Sequence, residues 1–162
     1  MSSILRIVVI AIITLFIVGL TSIFMYLFTD SFFTEFNGSG LNNTQTGLVE
    51  SSAMATLQFL DWVIVLLLGI TILGSIYMGY ENSEPPIFFM ITFLGSMFIG
   101  AIGFILDYVF KEIIIQSQFN SVIGYFPNTI IICTNLHWIA LICIIGSGIV
   151  AYTQRGGGTP EI

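Results

Sequence analysis

The stretch GFILDYVFK, Gly103 to Lys111, sets an aspartate and a lysine four residues apart at the close of a long apolar run. Whether Asp107 ends a membrane span or works inside one decides how the chain is read. The run behind it, from Ile87 to about Leu106, carries no formal charge and has about the 20 residues that a helix needs to cross roughly 30 Å of hydrocarbon. Three more runs match it, from Ile7 to Phe28, from about Asp61 to Tyr80, and from about Thr129 to Tyr152. Backbone polar groups cannot be left unpaired in lipid, and unbroken runs of this length do not alternate as barrel strands do. The sequence therefore predicts an all-α polytopic membrane protein: a bundle of four transmembrane helices within residues 1–155.

Composition agrees. Of 162 residues, 56% are hydrophobic and only 7% charged, and the mean hydropathy is +1.03, far from soluble domains. The net charge of −6 sets nine acids against Arg6, Lys111 and Arg155. Three scattered cations make neither a nucleic-acid surface nor a polybasic lipid anchor, so no nucleic-acid partner is expected. Cys133 and Cys143, ten residues apart in one apolar run, cannot face each other on a single helix and read as small buried residues.

An even number of spans places both termini on one side. Arg6 and Arg155 flank those ends while Lys111 stands opposite, which favours cytoplasmic termini. The connection Thr29 to Ser52 is then an external polar loop, with acceptor-type triplets at Asn37-Gly38-Ser39 and Asn42-Asn43-Thr44 that arise readily by chance in such a segment. The short link Glu81 to Pro86 makes the second and third helices antiparallel neighbours, with Pro86 suited to a first helical turn. Between Phe110 and Phe126, the apolar Phe110, Ile113, Ile114, Val122, Ile123 and Phe126 recur at roughly helical spacing, which predicts, in the connection between helices three and four, an amphipathic segment along the outer membrane interface or a frayed extension of the third span. Residues 156–162 read as a flexible tail.

Inside the spans the polar residues fall on stripes. Thr92, Ser96, Gly100, Gly103 and Asp107 share one face of the third helix; Thr71, Ser75 and Gly79 lie on the second; Cys133, His137, Ala140, Ser147 and Ala151 lie on the fourth. Small residues let helix backbones approach closely in lipid, so these stripes are expected to meet, with Gly100 and Gly103 both intolerant of leucine. At 1.5 Å per residue, Asp107 lies about 31 Å beyond Pro86, Asp61 about 28 Å from Tyr80, and His137 about 22 Å from Tyr152. Asp61, Asp107 and His137 are thus expected at one level near the outer rim, beside Trp62, Tyr108 and Trp138.

Two readings of Asp61, Asp107, Lys111 and His137 follow. In the structural one, Asp107 caps a span, pairs with Lys111 and accepts a hydrogen bond from His137. In the functional one, Asp61, Asp107 and His137 form a proton or cation site. The structural reading leads, because no formal charge falls near the bilayer centre, where coupled transporters place their sites. A holin-like, membrane-permeabilising protein is a third possibility, requiring self-association. One histidine cannot supply bis-histidine haem ligation, and His137 with Cys133 is too small a ligand set for zinc. Enzyme activity, cofactor and metal are not expected.

The order of an acid opening a span (Asp61-Trp62), a short proline loop (Ser83-Glu84-Pro85-Pro86), an amphipathic connection closing in Phe126-Pro127, and a last span with a basic tail (Arg155) resembles small four-span membrane proteins of tailless icosahedral viruses with an internal lipid membrane. It covers about residues 57 to 155. The resemblance implies a structural role in the virion bilayer, linking lipid to a capsid shell or vertex as part of a homo- or hetero-oligomer, and it carries over no catalytic residues.

Overall fold

The computed structural model describes the backbone of residues 3–39, 44–81 and 86–153, and their side chains apart from residues 3–4, 44–45, 86–93 and 118. Asn42, the 82–85 link, the side chain of Thr92 and the 154–162 tail lie outside the described residues. Among the described residues all regular structure is helical. The helices are α1 (Ser3–Gly38), α2 (Thr44–Glu81), α3 (Pro86–Ile114), α4 (Asn120–Tyr125), α5 (Pro127–Cys133) and α6 (Leu136–Thr153), with one 3₁₀ turn at Ser117–Phe119.

Three of these are long and apolar enough to cross a membrane: Leu5–Gly38, Thr46–Glu81 and Leu136–Thr153. Their outward faces stay apolar, with Ile10, Ile17, Leu66, Ile70, Leu73, Ile142, Ile145 and Ile149 all exposed. A helix that is apolar on every side fits hydrocarbon rather than water.

The stretch Thr29 to Ser52, expected as a loop, is helical from Thr29 to Gly38 and from Thr44 to Ser52. α1 continues to Gly38 and α2 begins at Thr44. Thr29 Oγ1 donates to the Met25 carbonyl at 2.8 Å, Asn37 Nδ2 to Glu50 Oε2 at 3.2 Å, and Ser51 Oγ to the Leu48 carbonyl at 3.0 Å. Short polar side chains that usually compete with helix here bond helical carbonyls or the neighbouring helix, so polarity does not end the element. With 36 and 38 residues, α1 and α2 are about 54 and 57 Å long. Asn37, in the first triplet, lies in α1 with its amide engaged by Glu50.

The fourth run is also different from expectation. It is two helices, α5 and α6, joined at Thr134–Asn135. In the segment from Phe110 to Phe126, residues up to Ile114 continue α3, and a 3₁₀ turn and the short α4 follow, rather than one amphipathic helix. Phe110, Ile114, Phe119, Val122 and Phe126 are buried, whereas Ile123 is exposed. These rings pack on α1: Phe16 meets Phe110 edge-on at 6.3 Å, Phe24 meets Phe119 at 6.2 Å, and Tyr26 meets Phe126 at 5.7 Å.

Two glycines set how closely the helices approach. A Cβ on Gly79 of α2 would lie 2.8 Å from Ser147 Cα of α6, and one on Gly103 of α3 would lie 2.8 Å from His137 Cα. Gly95 of α3 faces Leu5 near the start of α1. Gly100, expected to be equally intolerant, has nothing within 4 Å of an added Cβ. It is on the rim of the α3 stripe, whereas Ser96, Gly103 and Asp107 turn fully inward. Ser75, Ala140 and Ser147 are buried, and Ser75 and Ser147 donate to the carbonyls of Thr71 and Ile144 within their own helices.

Candidate functional site

The start of α5 has a local deficit. Its N-cap, Phe126, has no side-chain acceptor, and Pro127 at the first position has no N–H. The first orphan donors are therefore the amides of Asn128 and Thr129. Asp61 reaches across from α2 to take them. Asn128 N–H donates to Oδ2 at 3.2 Å, Asn128 Nδ2 to Oδ2 at 2.8 Å, and Thr129 N–H to Oδ1 at 2.6 Å. A carboxylate with three N–H donors, at the positive end of a helix, is well accommodated although it is buried.

The break before α6 is satisfied in the same way. Thr134 Oγ1 donates to the Ile130 carbonyl at 2.7 Å and Asn135 Nδ2 to the Ile131 carbonyl at 2.8 Å, closing the last turn of α5. The Asn135 carbonyl accepts from Trp138 N–H at 3.0 Å and Ile139 N–H at 3.2 Å, opening α6. Since the Asn135 side chain points back to α5, it leaves the Leu136 amide free, and Asp107 of α3 accepts from it at 2.7 Å. The second carboxylate oxygen of Asp107 accepts from His137 Nδ1, which makes an ion pair when the ring is protonated. The imidazole lies between the rings of Phe104 and Trp138, with centroids 6.1 and 5.0 Å away.

The predicted quartet is thus divided. Asp107 and His137 meet. Lys111 does not join them: its side chain is exposed, and Asp107 is turned inward to α6 instead. Asp61 serves α5, eight residues earlier along the broken helix than Leu136, or about 12 Å of helical rise. The two carboxylates thus serve two separate helix starts, Asp61 that of α5 and Asp107 that of α6. Asn128, Thr129, Thr134 and Asn135 complete them, and one sequence signal pointed there: Asn135, a preferred N-cap residue type, stands inside an apolar run.

No protein-family model, curated protein or solved structure matches the chain. The site has to be read from its own chemistry. Among the described residues, no cluster of three or more His, Cys, Asp or Glu side chains is placed to hold a metal. Cys133 and Cys143 are buried free thiols. Thr129 Oγ1 is a buried hydroxyl without a hydrogen-bond partner, which costs about 1–3 kcal/mol. Thr129→Val, close in shape, is expected to leave the protein as stable or raise its stability by about 1 kcal/mol in a detergent unfolding titration.

Proposed function

We propose that the chain is a non-enzymatic structural membrane protein, with four spans counting the 29-residue α3, that acts as a subunit of a larger membrane assembly. The observation that carries this reading is how the two buried carboxylates are spent. Broken helices in transporters turn their open N-termini toward a substrate anion. Here Asp61 and Asp107 fill both positions from within the chain, so the breaks are closed by protein. In hydrocarbon that arrangement supports helix association, and the small-residue contacts at Gly79 and Gly103 serve the same end.

The charge pattern of the sequence, with Arg6 and Arg155 near its two ends and Lys111 between the third and fourth runs, supports termini in the cytoplasm or, in a virion, on the corresponding membrane face. The assembly favoured by the resemblance in residues 57–155 is a viral internal membrane, with a capsid or membrane protein as partner. The Phe110 to Phe126 segment then lies at the outer interface, with Ile115 and Ile123 toward lipid.

One observation favours a second reading, proton or cation translocation. Buried Asp107 and partly buried His137 form a titratable pair at a helix break, and such groups within spans are functional candidates by default. Reconstitution into liposomes separates the two. The structural reading expects proton and cation flux no greater than in empty liposomes, with or without Asp107→Asn. A flux present in the native chain and abolished by Asp107→Asn overturns it.

A further inference from the structure

Along α3, Met97, Gly100, Phe104, Tyr108 and Lys111 recur at steps of three and four, which keeps them on one flank of the helix. That flank is turned outward. Met97, Phe104 and Tyr108 are 60–64% exposed, Lys111 is exposed, and nothing stands within 4 Å of the Cβ position of Gly100. From Met97 to Lys111 the helix rises about 21 Å, close to the depth of one bilayer leaflet with its head groups. Over that rise the side chains pass from apolar, through a ring carrying a hydroxyl, to a cation. A phospholipid changes in the same order from acyl chain to phosphate.

Helix α6 supplies the other wall. Gly103 seats it against α3, and the His137 ring lies 6.1 Å from that of Phe104 and 5.0 Å from that of Trp138. Asp107, which accepts from His137 Nδ1, is one turn before Lys111. With Nδ1 held there, Nε2 is turned away from the carboxylate, and the His137 side chain stays 22% exposed. Charge selects the head group. Asp107 is already met by the Leu136 amide and His137, and among the described residues no carboxylate is in ion-pair contact with Lys111. Glu112 is about 100° further round the helix. A helical lysine covers the turn before its own Cα, so the Lys111 ammonium reaches a phosphate placed over the Asp107 turn.

We propose that this flank of α3, with His137 and Trp138 of α6, is a binding site for one anionic phospholipid. Its phosphodiester sits at Lys111 and His137, and one acyl chain runs past Phe104 into the space beside Gly100. A single lysine is no surface anchor, but a cation in a cleft between membrane helices is how head groups are held individually. The inference rests on α3 being the fourth span, as proposed above.

The test uses the full chain in phosphatidylcholine nanodiscs doped with phosphatidylglycerol or phosphatidylcholine brominated in the acyl chains, which quench tryptophan. Trp138, 58% exposed, is the reporter in Trp62→Phe, and Trp62, 64% exposed on α2, is the reference in Trp138→Phe. At Trp138 the anionic lipid is expected to be favoured about fivefold, the attraction of one lysine, with no preference at Trp62. In the reporter chain Lys111→Gln is expected to remove the preference and Lys111→Arg to keep it. Gly100→Leu, which meets no other part of the chain, is expected to reduce it by filling the acyl space. Equal quenching by the two lipids at Trp138, the same ratio at both tryptophans, or a ratio that survives Lys111→Gln overturns the proposal. So does a ratio untouched by Gly100→Leu, or one abolished by millimolar inorganic phosphate, which makes the site one for a free anion. Quenching by the neutral lipid reports whether this face meets the membrane at all, and the ratio reports the site, so a failure of the four-span reading and a failure of the lipid site are told apart.

Discussion

Asp107→Ala is expected to lower stability by about 3–5 kcal/mol, the largest loss of any polar substitution in the chain. Removing this carboxylate orphans two donors at once. The Leu136 amide loses its acceptor at 2.7 Å, and His137 Nδ1 loses its partner in the bundle interior. The Leu136 amide is buried and keeps the full desolvation penalty, while the ring of His137, 22% exposed, keeps part of it. Asp107→Asn retains a carbonyl acceptor for Leu136 and is expected to lose about half as much. The check is equilibrium unfolding from mild detergent into SDS, with helix content followed by circular dichroism. A loss under about 1 kcal/mol for Asp107→Ala would mean that α6 keeps its start without this cap. Asp61→Ala, which also orphans backbone donors but breaks no ion pair, is expected to cost less, about 2 kcal/mol.

Gly79→Leu and Gly103→Leu are expected to prevent α6 from seating, at about 3 kcal/mol or more each. The atoms that an added side chain would meet are backbone atoms of Ser147 and His137, which cannot rotate aside as a side chain can. The helices must separate. In lipid, where close contact and not water exclusion holds helices together, separation forfeits the packing along the whole seam. Gly100→Leu is the control, because nothing stands within 4 Å of its Cβ position, and it is expected to change stability by less than about 0.5 kcal/mol. The readout is the SDS unfolding midpoint. Equal effects at Gly100 and Gly103 would show that leucine volume, not backbone proximity, is what the bundle resists.

The glycine comparison also marks how far the sequence is legible. Spacing put Ser96, Gly100, Gly103 and Asp107 on one helical face, which is right to within the width of a stripe. It could not separate the middle of that stripe from its edge, since that depends on the angle at which α6 crosses α3. The Thr29 to Ser52 connection was misleading for a related reason. Its Ser, Thr and Asn residues satisfy both loop and helix, and the choice went to helix where those side chains found helical carbonyls and, for Asn37, the carboxylate of Glu50.

By itself the sequence determined that the chain is helical and apolar enough to enter a membrane, because long uncharged runs leave the backbone only helical hydrogen bonds with which to satisfy itself. It also fixed which residues are titratable inside those runs. Only the tertiary structure decided what they do. Asn128 and Thr129 are 67 and 68 residues from Asp61, and Leu136 is 29 from Asp107. A cap supplied from that far along the chain leaves no local pattern, since the orphaned amide and its acceptor are brought together by helix packing alone.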